Sequence, residues 1–325
     1  MLFRYPGSKS KISGIIVKHI LKMRGLHPFT SYCEPFFGGG SVCFRLLEKS
    51  GPTIKSVWIN DIDAGIFSIW WSVVNEPERF KELVHAFKPS RKAFSQFKRE
   101  LTAGKNFPLP ELALKKLAMH QMSYSGLGTM AGGPLTKIAS RWSPDWIDKN
   151  IDRARHLLAG RDVVITNLDY RQLVPMIDEN YFLYFDPPYV GAGNQLYQYS
   201  FDEYDHQKLR ELLTHAKFPW ALSYNNHCEV RRMYGHEVIH QVPILYTING
   251  VVKKNELLIT PGRYSEILHD LWGLNGRTIP ATLPLIPFAG KYMDFDVSSH
   301  LELHDFFTSK HQESSNIESS VLGVD

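Results

Sequence analysis

Cysteine is scarce in this chain. Cys33, Cys43 and Cys228 are the only three among 325 residues, and none shows the spacing of a metal site or a disulfide framework. A fold stapled by cross-links is therefore excluded, and reduced thiols packed in a core are the expectation for all three. Long apolar runs are missing as well. No stretch approaches the roughly 18 apolar residues that suggest a membrane-crossing helix, so no membrane partner is expected. The opening residues, Met1-Leu2-Phe3-Arg4-Tyr5-Pro6-Gly7, hold no apolar core of a signal peptide. The 14 histidines form no His-x-x-x-His or His-x-Glu grouping, so no catalytic metal is expected. Together these absences point to a soluble cytoplasmic protein.

Net charge is small too, at +4, but it is unevenly spread. Glu76 to Arg155 carries 15 lysines and arginines against 8 acidic residues, a surplus of +7 that leaves −3 for the rest of the chain. A basic segment in a near-neutral chain suits a polyanion. A solvated helical surface has the same composition.

Thr30 to Phe37 reads as a strand, Gly38-Gly39-Gly40 as a loop, and Val42 to Lys49 as a helix that Ser41 can cap. Ser56-Val57-Trp58-Ile59-Asn60-Asp61 is a second strand closed by acidic residues. A strand, glycine loop, helix and strand in this order open a doubly wound α/β sheet. Residues 66–158 read as a helical, basic insertion, broken at Gly104 to Pro110 and by a glycine-rich stretch from Ser123 to Ser143. The sheet pattern resumes at Asp162 to Thr166, Tyr181 to Phe185 and Trp220 to Tyr224, with a helix from His206 to His215. Gln241 to Ile248 and Glu256 to Thr260 flank Asn249-Gly250, a hairpin-type turn. Beyond Pro261-Gly262 the pattern thins, and the Ser-rich Thr308 to Asp325 is expected to be disordered.

Asp186-Pro187-Pro188-Tyr189 follows the apolar aromatic run Tyr181 to Phe185. Two prolines after a buried strand cannot extend a sheet and fix the local backbone. A carboxylate, a carbonyl and an aromatic face then sit at a strand's carboxyl end, where open α/β sheets bind ligands. A planar base with an exocyclic amine fits such a group; a tight turn with a capping Asp is the simpler use of the same residues. Gly38-Gly39-Gly40 lets a ligand approach backbone at a helix start. Asp61, at the end of the next strand, is placed to take ribose hydroxyls. The loop lacks the dinucleotide spacing, so a nucleoside cofactor without pyrophosphate fits better, S-adenosylmethionine among them. Asp169-Tyr170 offers either an adenine contact or a loop Asp beside a packed Tyr. Tyr5-Pro6-Gly7-Ser8-Lys9 offers either a cofactor contact or a basic N-terminal segment.

In this order the motifs resemble the DNA N6-adenine methyltransferase family, in the class that contains the Dam enzymes. The matching positions are Tyr5 to Lys9, Glu34-Pro35-Phe36-Phe37-Gly38-Gly39-Gly40-Ser41-Val42, Asn60-Asp61-Ile62-Asp63, Asp169-Tyr170, Asp186 to Tyr189 and Asn255-Glu256-Leu257-Leu258-Ile259. They span roughly residues 1–262. The resemblance implies S-adenosylmethionine bound by Tyr5, Lys9, Glu34, Pro35, Phe36, Gly38 and Gly40, with Asp61 on its ribose, Asp169 and Tyr170 at its adenine, and Asp186 beside it. It implies a target-adenine pocket of Asp186, Pro187 and Tyr189. The fold implied is a Rossmann-like methyltransferase sheet formed by residues 1–65 and 159–262. Residues 66–158 would be an inserted, mainly helical target-recognition domain, with Lys137 and Arg141 on DNA, and 263–325 a C-terminal extension. Asp63 and Tyr170 stand where the family usually has Asn and Phe.

Double-stranded DNA and a cognate restriction endonuclease are the implied partners, and the protein would be a monomer or weak dimer in bacterial or phage-infected cytoplasm. Methylation of RNA adenine or of a protein glutamine is an alternative, as is an inactive DNA-binding relative.

Overall fold

Seven strands build one sheet: β1 (Ser31–Glu34), β2 (Ser56–Asn60), β3 (Asp162–Thr166), β4 (Tyr181–Phe185), β5 (Trp220–Asn225), β6 (Val238–Tyr246) and β7 (Val252–Thr260). Their order is β3-β2-β1-β4-β5-β7-β6. The first five in that order run parallel, and β7 lies antiparallel to both β5 and β6. The computed structural model describes residues 2–123, 126, 128, 140–191, 200–246 and 252–264. Asn249-Gly250, Lys137 and residues 265–325 lie outside them.

The central strands are apolar because helices cover both faces of a parallel sheet. Tyr32, Phe182, Tyr184, Phe185, Trp220 and Tyr224 are all fully buried. Burial of each such side chain contributes about 1.5–3 kcal/mol. Proline sets two strand ends. β1 stops at Glu34 before Pro35, short of the expected Phe37, and β4 stops at Phe185 before Asp186-Pro187-Pro188. The β6–β7 ladder starts earlier and is longer than the alternation suggested, pairing Val238 with Thr260 and Tyr246 with Val252.

Ten helices accompany the strands among the described residues: α1 (Ser13–Leu26), α2 (Ser41–Ser50), α3 (Ala64–Asn75), α4 (Pro77–Ala86), α5 (Arg91–Thr102), α6 (Leu109–Met122), α7 (Pro144–Leu158), the single turn α8 (Tyr170–Leu173), α9 (Glu203–Thr214) and α10 (Cys228–Met233). Ser41 does not cap α2. Gly40 occupies that position in a left-handed conformation and no side chain accepts there, so the first turn of α2 is left open toward the ligand side of the sheet. α3 is capped by Asp63, which accepts from the Gly65 and Ile66 amides.

The described residues from α3 to α7 are mainly helical, as the composition suggested, and α3 packs along α6. One buried apolar cluster runs from the sheet through Phe37, Phe44 and Trp70 to Leu117, Ile151 and Leu158. Cys33 and Cys43 are in the core, but Cys228 is exposed at the start of the short α10, which corrects the expectation for the third thiol.

Candidate active site

Strand order reverses between β1 and its neighbours β2 and β4, and at that point a doubly wound sheet opens a crevice at its carboxyl edge. A cleft of about 730 Å³ lies there. Its walls come from the segment before α1 (Tyr5 to Lys9), the β1 end and glycine loop (Glu34, Phe36 to Val42), the β2 end (Asp61 to Asp63) and the β4 end (Tyr184, Asp186, Pro188).

The glycine loop is shaped by contacts from three sides. Gly38 has φ +49°, and a Cβ there would stand 2.6 Å from the Tyr5 ring. Gly40 has φ +65°, and its Cβ would strike the Phe37 and Phe44 rings. Both positions need glycine for backbone conformation and for space. The Gly38 carbonyl accepts from Trp70 Nε1 at 2.8 Å, so α3 fixes the loop from behind. The Gly38 amide donates to Asp61 Oδ2 at 2.8 Å.

Asp61 is 7% exposed, and its Oδ1 accepts from the Asp63 amide at 3.0 Å. Burial is the main reason its pKa is pushed up to about 7, and the Asp63 charge adds to it; the two amides and Lys116 oppose. Lys116, from α6, reaches Asp63 Oδ2 at 2.5 Å. The neighbouring Asn60 is a structural clamp. Its Nδ2 donates to the Pro35 and Leu168 carbonyls, and its Oδ1 accepts from the Leu168 amide and the Thr166 hydroxyl. One buried amide side chain thus ties the ends of β1, β2 and β3 together.

At the β4 end, Asp186 Oδ2 lies 2.7 Å from Lys9 Nζ. Lys9 is only 4% exposed; it donates to the Gly7 carbonyl at 2.8 Å and sits 5.0 Å from the Tyr189 ring centroid. Burial raises the Asp186 pKa to about 6. Lys9 opposes the rise, the Glu256 charge adds to it, and hydrogen bonds from Lys9 and Tyr189 also favour the charged form. Glu34, at the end of β1, accepts from the Tyr32 hydroxyl at 2.7 Å, and burial pushes its pKa up to about 8. Glu34 is therefore mostly protonated at neutral pH, and Asp63 is engaged by Lys116 and by the α3 amides, which leaves Asp186 and Asp61 as the cleft acids placed to accept from a ligand.

Tyr5, Lys9, Glu34, Phe36, Gly38, Gly40, Asp61 and Asp186 are thus brought together around one cleft. Pro35 supports it from behind through Asn60. Pro187 is buried under the turn, and the Tyr189 ring lies 6.0 Å from that of Tyr224, outside the cleft lining.

Asp169 and Tyr170 are also outside the lining. Both Asp169 oxygens are held by Arg171, at 2.8 Å to Nε and 2.6 Å to Nη2, which outweighs burial and keeps the Asp169 pKa below the usual range. Tyr170 is packed between Phe36 and Phe201, with centroids at 5.6 and 5.3 Å, and its hydroxyl donates to the Asp205 carbonyl. Arg141 Nη1 donates to the Ser123 carbonyl at 3.2 Å, and Arg141 is not among the residues that line the cleft. Of the insertion's cations, Arg79, Lys81, Lys115, Lys116, Arg153 and Arg155 form ion pairs within the protein.

The residues of the cleft fit a nucleoside-type methyl donor. Asp61 is a buried acceptor for hydroxyls, Phe36 offers a ring, and the backbone of the Gly38–Gly40 loop lines the cleft.

Residues 5–248 match the family described as D12 class N6 adenine-specific DNA methyltransferase. The chain is also similar to the type II methyltransferase M.MjaIII of Methanocaldococcus jannaschii, with 25% identity over 215 residues that cover 62% of this chain and 73% of that protein. It is similar to the type II methyltransferase M1.LlaDCHI of Lactococcus lactis subsp. cremoris, with 24% identity over 186 residues, 55% of this chain and 62% of that protein.

Proposed function

The chain belongs to the D12 class of N6 adenine-specific DNA methyltransferases, and from that premise we propose that its cleft binds S-adenosylmethionine and that Asp186, Pro187 and Tyr189 hold the target adenine beside it. The protein methylates adenine in DNA at specific sites. Family membership favours this over RNA adenine, protein glutamine or an inactive DNA-binding role. What supports the site assignment is one juxtaposition. Asp61 from β2, the Gly38–Gly40 loop from β1 and Asp186 from β4 line the same cleft at the reversal point of the sheet.

When bound, S-adenosylmethionine supplies an electrophilic methyl group on a sulfonium. Asp61 would hold its ribose hydroxyls, Phe36 would offer a ring to its adenine, and Tyr5 and the glycine loop would contribute to holding it. Asp169 would serve its adenine end by sharing its carboxylate between Arg171 and the ligand. Lys9 fixes the Asp186 carboxylate by their 2.7 Å ion pair and places a positive charge near the methionine end.

A base inside a duplex cannot reach this cleft, so the adenine is flipped out of the stack. Its ring stacks on Tyr189, which offsets unstacking by about 1–3 kcal/mol. The amine donates its hydrogens to Asp186 and to the Pro187 carbonyl. Both acceptors would favour a pyramidal nitrogen whose lone pair can take the methyl; the sulfonium–methyl bond would break as the N–C bond forms, S-adenosylhomocysteine would leave, and the excess amine proton would pass to Asp186 or to solvent. Positioning of this kind supplies much of the rate, and no covalent enzyme intermediate is needed.

Residues 1–65 and 159–262 form the catalytic part in this reading, and 66–158 the target-recognition part, with Arg141 and Lys137 on DNA. Residues 263–325 are an extension of open role. A cognate restriction endonuclease, a monomeric or weakly dimeric state and a cytoplasmic location complete the proposal. The direct test is Asp186→Asn, which keeps the shape and removes the charged acceptor. Methyl transfer to DNA should fall by orders of magnitude in a protein that still folds and binds cofactor, with the melting temperature lowered because buried Lys9 loses its 2.7 Å partner. Retained turnover would remove Asp186 from the chemistry.

A further inference from the structure

Glu256 belongs to β7, where it stands opposite Asn225 of β5 and Val242 of β6. It is 4% exposed and precedes the buried apolar residues Leu257, Leu258 and Ile259. A carboxylate buried in such a strand is costly unless it is paired. Lys9 is one partner: its Nζ lies 3.9 Å from Glu256 Oε1 and 2.7 Å from Asp186 Oδ2. One ammonium is therefore shared between two carboxylates, one at the end of β4 and one on β7. The sharing matters for Asp186. A carboxylate fully committed to a lysine is a weak acceptor for a neutral amine, whereas one whose lysine is partly held elsewhere keeps acceptor strength.

We propose that Glu256 is a positioning residue for methyl transfer, holding the Lys9 ammonium between β7 and Asp186 so that Asp186 can accept the target amine. The inference rests on the assignment of Asp186 as the amine acceptor. Among the described residues, the titratable and charged groups that act on Asp186 include Lys9, Glu256, Glu34, Tyr184 and Tyr189. Within that set, burial and the Glu256 charge both raise the Asp186 pKa, and Lys9 lowers it.

The test is single-turnover methylation of a DNA duplex across the pH range, for wild type, Glu256→Gln, Glu256→Asp and Asp186→Asn, with cofactor affinity measured in parallel. In Glu256→Gln, the second carboxylate near Lys9 is removed and its pairing with Asp186 strengthens. The plateau rate should fall about tenfold, the acidic limb of the profile should move to lower pH, and cofactor affinity and the DNA concentration at half-maximal rate should be unchanged. Glu256→Asp should restore most of the rate and return the limb toward its wild-type position. An unaltered rate and limb in Glu256→Gln, or a loss confined to stability or affinity, overturns the role of Glu256. Because Asp186→Asn is measured alongside, the two failures are distinct. Activity in Asp186→Asn defeats the site assignment itself, whereas an inactive Asp186→Asn beside a normal Glu256→Gln defeats only this inference.

Discussion

Cofactor affinity should fall as Asp61 takes up a proton, and the size of the fall follows from the site. Asp61 is buried at the end of β2, and burial together with the Asp63 charge brings its pKa up to about 7. Ribose hydroxyls donate hydrogen bonds, so the ligand prefers the ionised carboxylate. With a pKa near 7, about nine-tenths of Asp61 is ionised at pH 8 and about one-tenth at pH 6. Affinity should therefore weaken about tenfold between those two values, or about 1.4 kcal/mol.

Calorimetric titration with S-adenosylhomocysteine avoids turnover and reads this directly. Asp61→Asn should bind more weakly at the higher pH and lose this part of the pH dependence; the difference between the two proteins subtracts every other titrating group. Lys116 opposes the rise of the Asp61 pKa, so Lys116→Met should move the midpoint upward. Equal affinity of the wild type at the two pH values, or an Asp61→Asn profile parallel to it, would refute the reasoning.

Two further outcomes follow from the same cleft. Gly38→Ala places a Cβ 2.6 Å from the Tyr5 ring at φ +49°; the left-handed backbone alone costs about 1–2 kcal/mol. Cofactor affinity should drop about tenfold or more, and a Gly38→Ala affinity equal to wild type would show that the loop and Tyr5 do not close on the ligand. Glu34 has a folded pKa of about 8 against an ordinary 4.5. The native state keeps a proton that the unfolded chain loses, so this contribution is complete below about pH 4.5 and is lost as pH rises through 8. Its upper bound is about 5 kcal/mol. Urea unfolding should show wild-type stability declining across that window, while Glu34→Gln, still able to accept from Tyr32, declines less; parallel curves would contradict the buried neutral acid.

Much of this was legible in the chain because local chemistry announces it. Tyr181 to Phe185 followed by two prolines could only be a buried strand with an abrupt end, and the strand is found with those bounds. Asp61 was legible from its place at the end of β2. Contacts between distant elements left no such signal. Lys9 meets Asp186 across the fold, and nothing in the spacing of Tyr5 to Lys9 says that its ammonium would be spent on a carboxylate of the same cleft. Asn60, Trp70 and Lys116 act through hydrogen bonds to other elements and look in sequence like ordinary strand or helix residues. A signal was present at Asp169: an arginine two residues on is well placed to pair with it, and Arg171 does. Gly40 took the helix-cap position expected of Ser41 because the loop needs a left-handed residue there more than the helix needs a side-chain acceptor.

The central claim is that the Asp186 cleft carries out the transfer to the adenine amine. Incubating unmethylated DNA with the purified protein and methyl-labelled S-adenosylmethionine, then digesting to nucleosides for mass spectrometry, tests it most directly. Label should appear as N6-methyl-2′-deoxyadenosine with the wild type and be absent with Asp186→Asn that still binds cofactor. Label on cytosine, or on adenine at undiminished rate with Asp186→Asn, would contradict it.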